Sequence, residues 1–271
     1  MIHIDWDPVA HVGPVPINWY GLGWAAAFLT GRWLAVRWAP KYNLPRERVE
    51  EVLVWILLGA MIGARLYYVA QNDPTFYLTH PWHVVAVWEG GLAFFGGLFG
   101  AVGAAYLYSR RARLRFGPLA DLFAPAIPIA AAVGRVACGL DGMDYGTPST
   151  LPWSLVYLNS NSYAPIDGIA RHPDQYYELV GDLLIATVLI KLRRRVGMPD
   201  GALFLTYLVL FSVLRFFLFF VRGNVPVIAF GLKNAQWTAL AILAVSLPSL
   251  WVLLRARRLI SSGRPSPAAR S

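Results

Sequence analysis

Seven apolar runs, each near the ~20 residues that cross a ~30 Å hydrocarbon core, recur along this chain and limit what it can fold into. They fall at 17–38, 49–70, 90–108, 119–140, 176–192, 201–221 and 236–254. In lipid a backbone must satisfy its own hydrogen bonds, so runs of this length fold as helices. The expected fold class is therefore an all-α integral membrane protein with seven transmembrane helices. Charge agrees, since 14% of the 271 residues are Asp, Glu, Lys or Arg, against ~25% in soluble domains. Asp5 and Asp7, rather than a basic segment, precede the first run. A retained helix is expected there, not a cleaved signal peptide.

The basic residues sort between alternate connections. Arg32, Arg37, Lys41, Arg46 and Arg48 cluster at the first link, Arg110, Arg111, Arg113 and Arg115 at the third, and Lys191, Arg193, Arg194 and Arg195 at the fifth. Arg255, Arg257, Arg258, Arg264 and Arg270 follow the last run. By the positive-inside rule these connections are cytoplasmic, with the N-terminus outside and the C-terminus inside. The formal charge of +9 thus reads as an orientation signal, and no nucleic-acid partner is expected. Residues 1–260 form one seven-helix membrane domain in this reading. A small external cap lies at about 141–175, between helices 4 and 5. The Ser-, Pro- and Arg-rich 261–271 is expected to be a disordered cytoplasmic tail.

Six of the 24 basic residues escape this sorting: Arg65, Arg135, Arg171, Arg215, Arg222 and Lys233. Each falls in a run or on the external side. A charge at bilayer depth costs at least ~2.5–3.5 kcal/mol on insertion scales, which makes it a functional-site hypothesis by default. The ordinary alternative is a guanidinium that snorkels to the headgroups or pairs with an acid. Arginine's planar fork also suits phosphate, the anion that lipid supplies at that depth. Arg135 stands out within 134–146, which closes an apolar run and carries Cys138, Asp141 and Gly146. Cys138 is also readable as a small apolar filler.

Other stretches carry two readings. Gly90-Gly91 breaks a helical pattern, and Gly96-Gly97 with Gly100 gives a small-xxx-small face. These glycines serve either close helix packing or close approach of backbone N–H groups to an anion. Pro125 and Pro128 predict a kink in the fourth run, and Asp121 before them reads as a helix-start or salt-bridge residue. Glu178 and Asp182 lie four apart on one helix face, a like-charge pair that calls for a cation. Arg215 and Arg222 are seven apart, so one face is expected to hold both, with Phe219 between them. His80 and His83 lack the Cys or carboxylate partners of a metal set. One cysteine excludes a disulfide framework. No metal or organic cofactor is expected.

These elements, in order along nearly the whole chain, resemble the prolipoprotein diacylglyceryl transferase family of the bacterial inner membrane. The matching stretches are Asn18-Trp19-Tyr20-Gly21-Leu22, Gly63-Ala64-Arg65-Leu66, Trp88 with Gly90-Gly91 and Gly96-Gly97, and Asp121 with Pro125 and Pro128. Gly134-Arg135 through Gly142 and Gly146, Arg171-His172-Pro173 with Gln175, Tyr177 and Glu178, Arg215-Phe216 with Arg222, and Gln236 complete the series.

The resemblance implies a multi-pass inner-membrane transferase. It would move the diacylglyceryl group of phosphatidylglycerol to the lipobox cysteine thiol of a prolipoprotein signal peptide, releasing glycerol 1-phosphate. The implied phosphatidylglycerol-binding set is Arg135, Arg215, Arg222, Arg65, Gly90, Gly91, Gly96, Gly97, Cys138, Asp141 and Gly146. Arg135 and Arg215 are expected to steady the leaving phosphate. Phe95 stands where many members have a histidine, and Phe219 where a glutamate is usual. Cys138 and Asp141 replace asparagines. The proton of the attacking thiol then falls to His172 or Glu178, with Tyr20 as a hydrogen-bonding partner. The other readings are a phospholipid-binding or accessory protein of the same fold, to which Phe95 and Phe219 point, and a small-solute transporter. The transporter would carry inverted repeats, and none is visible.

Overall fold

The computed structural model describes residues 1–13, 15–72, 74–86, 91, 93–194 and 198–262. Gly90, Trp88, the side chain of Phe95 and the tail from 263 onward lie outside the described residues. Every one of the seven apolar runs contains a helix. Ten helices occur among the described residues: α1 (Trp19–Trp38), α2 (Arg46–Gln71), α3 (Pro74–Thr79), α4 (Trp82–Val85) and α5 (Phe94–Arg111) come first. They are followed by α6 (Phe116–Phe123), α7 (Ala126–Asp141), α8 (Asp174–Arg193), α9 (Ala202–Leu218) and α10 (Asn234–Ser262). The windows Arg46–Ala70, Phe116–Asp141 and Asn234–Arg257 are long and apolar enough to cross a membrane, and Ala202–Leu218 is a shorter apolar helix. In the window of α10 only 11% of residues are buried. An apolar helix left that bare belongs in hydrocarbon, and the chain is a largely helical membrane protein.

Local chemistry sets the boundaries. A 3-10 turn at Ala39–Tyr42, with proline in its first turn, ends at Asn43 in the left-handed region (φ 55°), and Pro45 precedes the first residue of α2. The fourth run is not one helix. It breaks at Ala124–Pro125 into α6 and α7, as a proline lacking its N–H requires. Asp121 caps a helix, though not its own: its Oδ2 accepts from Gly201 N (2.7 Å) and its Oδ1 from Phe204 N (2.8 Å), at the start of α9. α8 begins with Asp174 and ends with Lys191 and Arg193, each sign at the helix end that favours it.

The chain divides into two compact units. In the unit Leu34–Leu119, α2 and α5 run antiparallel in close contact, with Gly63 and Gly96 at their crossing. A Cβ on Gly96 would lie 2.2 Å from the Gly63 carbonyl oxygen and 2.3 Å from Tyr67 Cβ, so only glycine permits this approach. The third run does not become helical at its start. Gly91 has φ 76°, and α5 begins at Phe94.

In the unit formed by Met1–Trp33 and Ala120–Ser271, α7 packs on α8, α8 on α9 and α9 on α10. Ala124, Ile185, Leu189, Leu203 and Tyr207 form its apolar core. The fold is mostly helical, as expected, and three short strand pairs accompany the helices among the described residues. β1 (Ile2–Ile4) pairs in parallel with β4 (Leu155–Tyr157). β2 (Val9–Val12) pairs antiparallel with β3 (Val15–Asn18), and β5 (Val227–Ala229) with β6 (Leu232–Lys233). The N-terminal segment therefore completes the segment between α7 and α8. Leu155, Tyr157 and Ala164 form a small core there, packed against Ile4, Tyr145 and Tyr176.

Candidate active site

α8 presents Asp174, Glu178 and Asp182 at intervals of four residues, hence on one face, and each is at most 2% exposed. Three arginines, from α7, α9 and the turn after α9, meet the middle carboxylate. Arg135 on α7 pairs with Glu178 Oε1 (Nη2, 3.0 Å) and donates to Asp144 Oδ2 (Nη1, 2.7 Å). Arg215 near the end of α9 donates to Glu178 Oε1 through Nη1. Arg222, in the turn after α9, donates to Glu178 Oε2 (Nη2, 2.7 Å) and, through Nε, to Asp174 Oδ2, and pairs with Asp144 Oδ1 (Nη1, 2.5 Å). Buried charge is tolerable only when paired and hydrogen-bonded in this way.

Phe219 organises the two C-terminal arginines. α9 ends at Leu218, so Arg215 and Arg222 do not share a regular helix as expected. The turn stays helix-like, however, with Phe219 N donating to Arg215 O (3.1 Å) and Arg222 N to Leu218 O (3.2 Å). Both guanidiniums face the Phe219 ring, at 4.6 and 4.8 Å from its centroid. An aromatic face attracts cations and holds them in place where it supplies no countercharge. The countercharge comes from α8 and from Asp144 instead. Lys233 donates its Nζ to the Arg222 carbonyl, and Gln236 fixes the neighbourhood by accepting from Lys233 N (2.9 Å) and donating to Phe216 O (3.0 Å).

Asp144 is the loosest of the three paired carboxylates. Its side chain is 28% exposed, against 1% for Glu178 and 0% for Asp174. Partial burial works against its charge, but Arg222 and Arg135 hold its carboxyl below the usual aspartate range. It sits in the left-handed region (φ 59°), two residues past the Gly142 that terminates α7. Tyr20, at the start of α1, lies in the electrostatic reach of Cys138, Asp144 and Arg135, with its ring edge-on to Trp24. Cys138 is 1% exposed, and Asp141 is fully buried with neither carboxylate oxygen hydrogen-bonded.

His172 is placed elsewhere. Its Nδ1 is 3.4 Å from the Tyr177 hydroxyl, which accepts from Trp153 Nε1 (2.8 Å). His172 lines an open cavity of about 670 Å³ with Met1, Ser149, Leu151 and Ile169. Among the described residues no ion pair or hydrogen bond links its ring to the three arginines.

Several expected members do other work. Arg171 pairs with Asp167 (2.5 Å) and lies over the Tyr145 ring (5.2 Å). Arg65 is 4% exposed, and its guanidinium donates to the carbonyls of Val84 (3.1 Å), Gly91 (3.0 Å) and His83. A guanidinium held by three carbonyls ties α2 to the segment before α5. Gly96 serves helix packing, and Gly97 has only ordinary contacts, at 3.5 Å, with Ala60 O and Ala64 Cβ. At Gly146 a Cβ would lie 2.5 Å from the His172 carbonyl oxygen. The backbone there bridges to Arg222, and this close backbone contact leaves no room for a side chain. Conversely, sequence reasoning missed Asp144 and Asp174. Their signal was scarcity, since only 15 acidic residues exist to balance the unsorted arginines.

Residues 8–252 match the family described as prolipoprotein diacylglyceryl transferase. A phosphatidylglycerol–prolipoprotein diacylglyceryl transferase of Methylibium petroleiphilum is 36% identical over 263 residues, covering 93% of this chain and 97% of that protein. The enzyme of the same name from Nitratidesulfovibrio vulgaris is 35% identical over 274 residues, covering 97% of each chain. That of Cupriavidus pinatubonensis is 32% identical over 280 residues, covering 100% of this chain and 99% of its own. A match across most of the chain, with relatives this similar at full length, makes the chain a member of the prolipoprotein diacylglyceryl transferase family.

Proposed function

We propose that this chain transfers the diacylglyceryl group of phosphatidylglycerol to the lipobox cysteine thiol of a prolipoprotein, in the bacterial inner membrane. The reading carries with it one membrane domain over 1–260 with seven spans, N-terminus outside, C-terminus in the cytoplasm, and an external cap at about 141–175. The observation that carries it is the gathering of Arg135, Arg215 and Arg222 on Glu178 in a unit built of apolar helices. The relatives' shared name supplies the substrates.

The thiolate sulfur attacks the glycerol carbon that carries the phosphate. A C–S bond forms, the C–O bond breaks, and glycerol 1-phosphate leaves with the electron pair. Charge builds on the phosphate oxygens as that bond breaks, and guanidiniums already held in place stabilise it without reorganisation. Asp144, the part-exposed carboxylate, keeps the place of the phosphate on Arg135 and Arg222 until the lipid displaces it. Glu178 and Asp174 stay to hold the cations. With its oxygens engaged by three guanidiniums, Glu178 is an organiser, and His172, which lines an open cavity, takes the thiol proton. Tyr20 serves as a hydrogen-bonding partner in the site, within electrostatic reach of Cys138, Asp144 and Arg135.

Purified protein given phosphatidylglycerol and a lipobox peptide should release glycerol 1-phosphate in step with thioether formation. His172→Ala should lower the rate by about 10²–10⁴-fold, the range for a general base. A parent protein that forms no product where a relative does overturns the transferase reading. Full activity in the His172 variant overturns only the assignment of the base.

A further inference from the structure

At the end of the α2–α5 pair where α2 begins and α5 stops, a cavity of about 410 Å³ opens. It is lined by Arg48, Glu51, Trp55, Tyr108, Arg111 and Arg113, all in the unit Leu34–Leu119. That volume suits a small polar ligand. Its one acid is already engaged. Glu51 accepts from Arg48 Nη1 (2.9 Å) and from the Tyr108 hydroxyl. Arg111 and Arg113 make no ion pair or side-chain hydrogen bond among the described residues, and both are exposed. The cavity thus has a net cationic wall with two uncommitted forks.

The backbone keeps one of those forks in an unfavourable place. Leu114 N donates to Ser109 O (2.8 Å) and Arg113 N to Arg110 O (3.3 Å), the pair of bonds that closes a helix through a left-handed residue. That residue is Arg113, with φ 54°, where glycine is the usual occupant. Beside the cavity, the same two helices expose Val54, Trp55, Leu58 and Leu107, an apolar surface that reaches up to the cationic rim. Unpaired guanidiniums next to such a surface, on helices that belong in lipid, match an amphiphile with an anionic head.

We infer that this cavity binds the phosphate headgroup of an anionic phospholipid from the leaflet at that end, at a site separate from the arginine–carboxylate cluster. Arg111 and Arg113 take the phosphate oxygens, Trp55 and Tyr108 form the apolar-to-polar edge, and the acyl chains run along the outer faces of α2 and α5. The site does not depend on the transferase reading. It concerns lipid retention, not turnover.

Native mass spectrometry of the full-length protein, released from bilayers of phosphatidylglycerol and phosphatidylcholine, counts retained lipids. Arg113→Gly keeps the left-handed position with its preferred residue while removing the fork, and Arg111→Gln leaves the backbone untouched. The double variant should retain one phosphatidylglycerol fewer than the parent, with phosphatidylcholine unchanged, and Arg111→Gln alone should weaken that retention about tenfold. Millimolar inorganic phosphate should leave the lipid bound. Equal phosphatidylglycerol counts in parent and variants overturn the inference. So does parallel loss of both lipids, which indicates apolar contact alone, or displacement by inorganic phosphate, which indicates a soluble-anion site. Glycerol 1-phosphate release, measured on the same samples, reports the transferase reading separately.

Discussion

Asp144 and Glu178 carry the same charge and meet the same arginines, yet their surroundings give them different work. Glu178 on α8 is buried, at 1% exposure. Asp144 is part-exposed in a turn, and its carboxyl is held low by Arg222 and Arg135. Its folded-state pKa lies below the unfolded value of about 3.9, so the pairing contributes stability above about pH 4. That contribution is lost as pH falls through the depressed folded value. Thermal unfolding followed from pH 6 down to about pH 3 should therefore show a loss at the acid end that Asp144→Asn flattens. Asparagine tolerates the left-handed backbone of residue 144, so the variant isolates the charge. An unchanged acid limb in Asp144→Asn would show that the acid loss comes from other carboxylates. At this scale the arginines were legible because a cation in an apolar run has no ordinary reason to be there. Asp144 was not, because an aspartate among glycines is the common composition of a turn.

Among elements, α2 and α5 illustrate how a pattern of small residues becomes a distance. Gly96 faces Gly63 so closely that the added methyl of Gly96→Ala must push the helices apart. In Gly97→Ala the new methyl meets neighbours at 3.5 Å, ordinary contact. Adjacent glycines in one motif should thus separate in effect. Gly96→Ala should cost about 1–3 kcal/mol, the range for overpacking, read as a lower unfolding midpoint in detergent. Gly97→Ala should be neutral or slightly stabilising through helix propensity. Equal losses in both would point to a ligand or backbone demand shared by the pair. The sequence left packing and ligand approach open at these glycines, because both use a missing side chain. The break at Pro125 was legible, since a proline cannot complete the helix it interrupts. The reach of Asp121 across to the start of α9 was not, because capping in trans leaves no local spacing to read.

For the whole molecule, the seven helical runs were legible from apolar length alone, whereas the pairing of β1 with β4 joins residues more than 150 positions apart and has no local signature. Orientation rests on a different physical quantity, the asymmetry of Lys and Arg between connections. It makes a claim that helices alone do not make: Ser160 faces outward and Arg110 the cytoplasm. Both positions are exposed, and the single cysteine of the chain, Cys138, is buried and so a silent background. Ser160→Cys and Arg110→Cys should therefore report one site each to a membrane-impermeant maleimide. In intact spheroplasts Ser160→Cys should label and Arg110→Cys should not, and permeabilisation should equalise them. In that orientation the arginine–carboxylate cluster, which follows α7 and α9, would share the outer side with Ser160. Labelling of Arg110→Cys in intact spheroplasts would invert the topology. Lipid phosphate and peptide thiol would then have to meet at the cytoplasmic surface, and the transferase assay would need to be repeated with inverted vesicles.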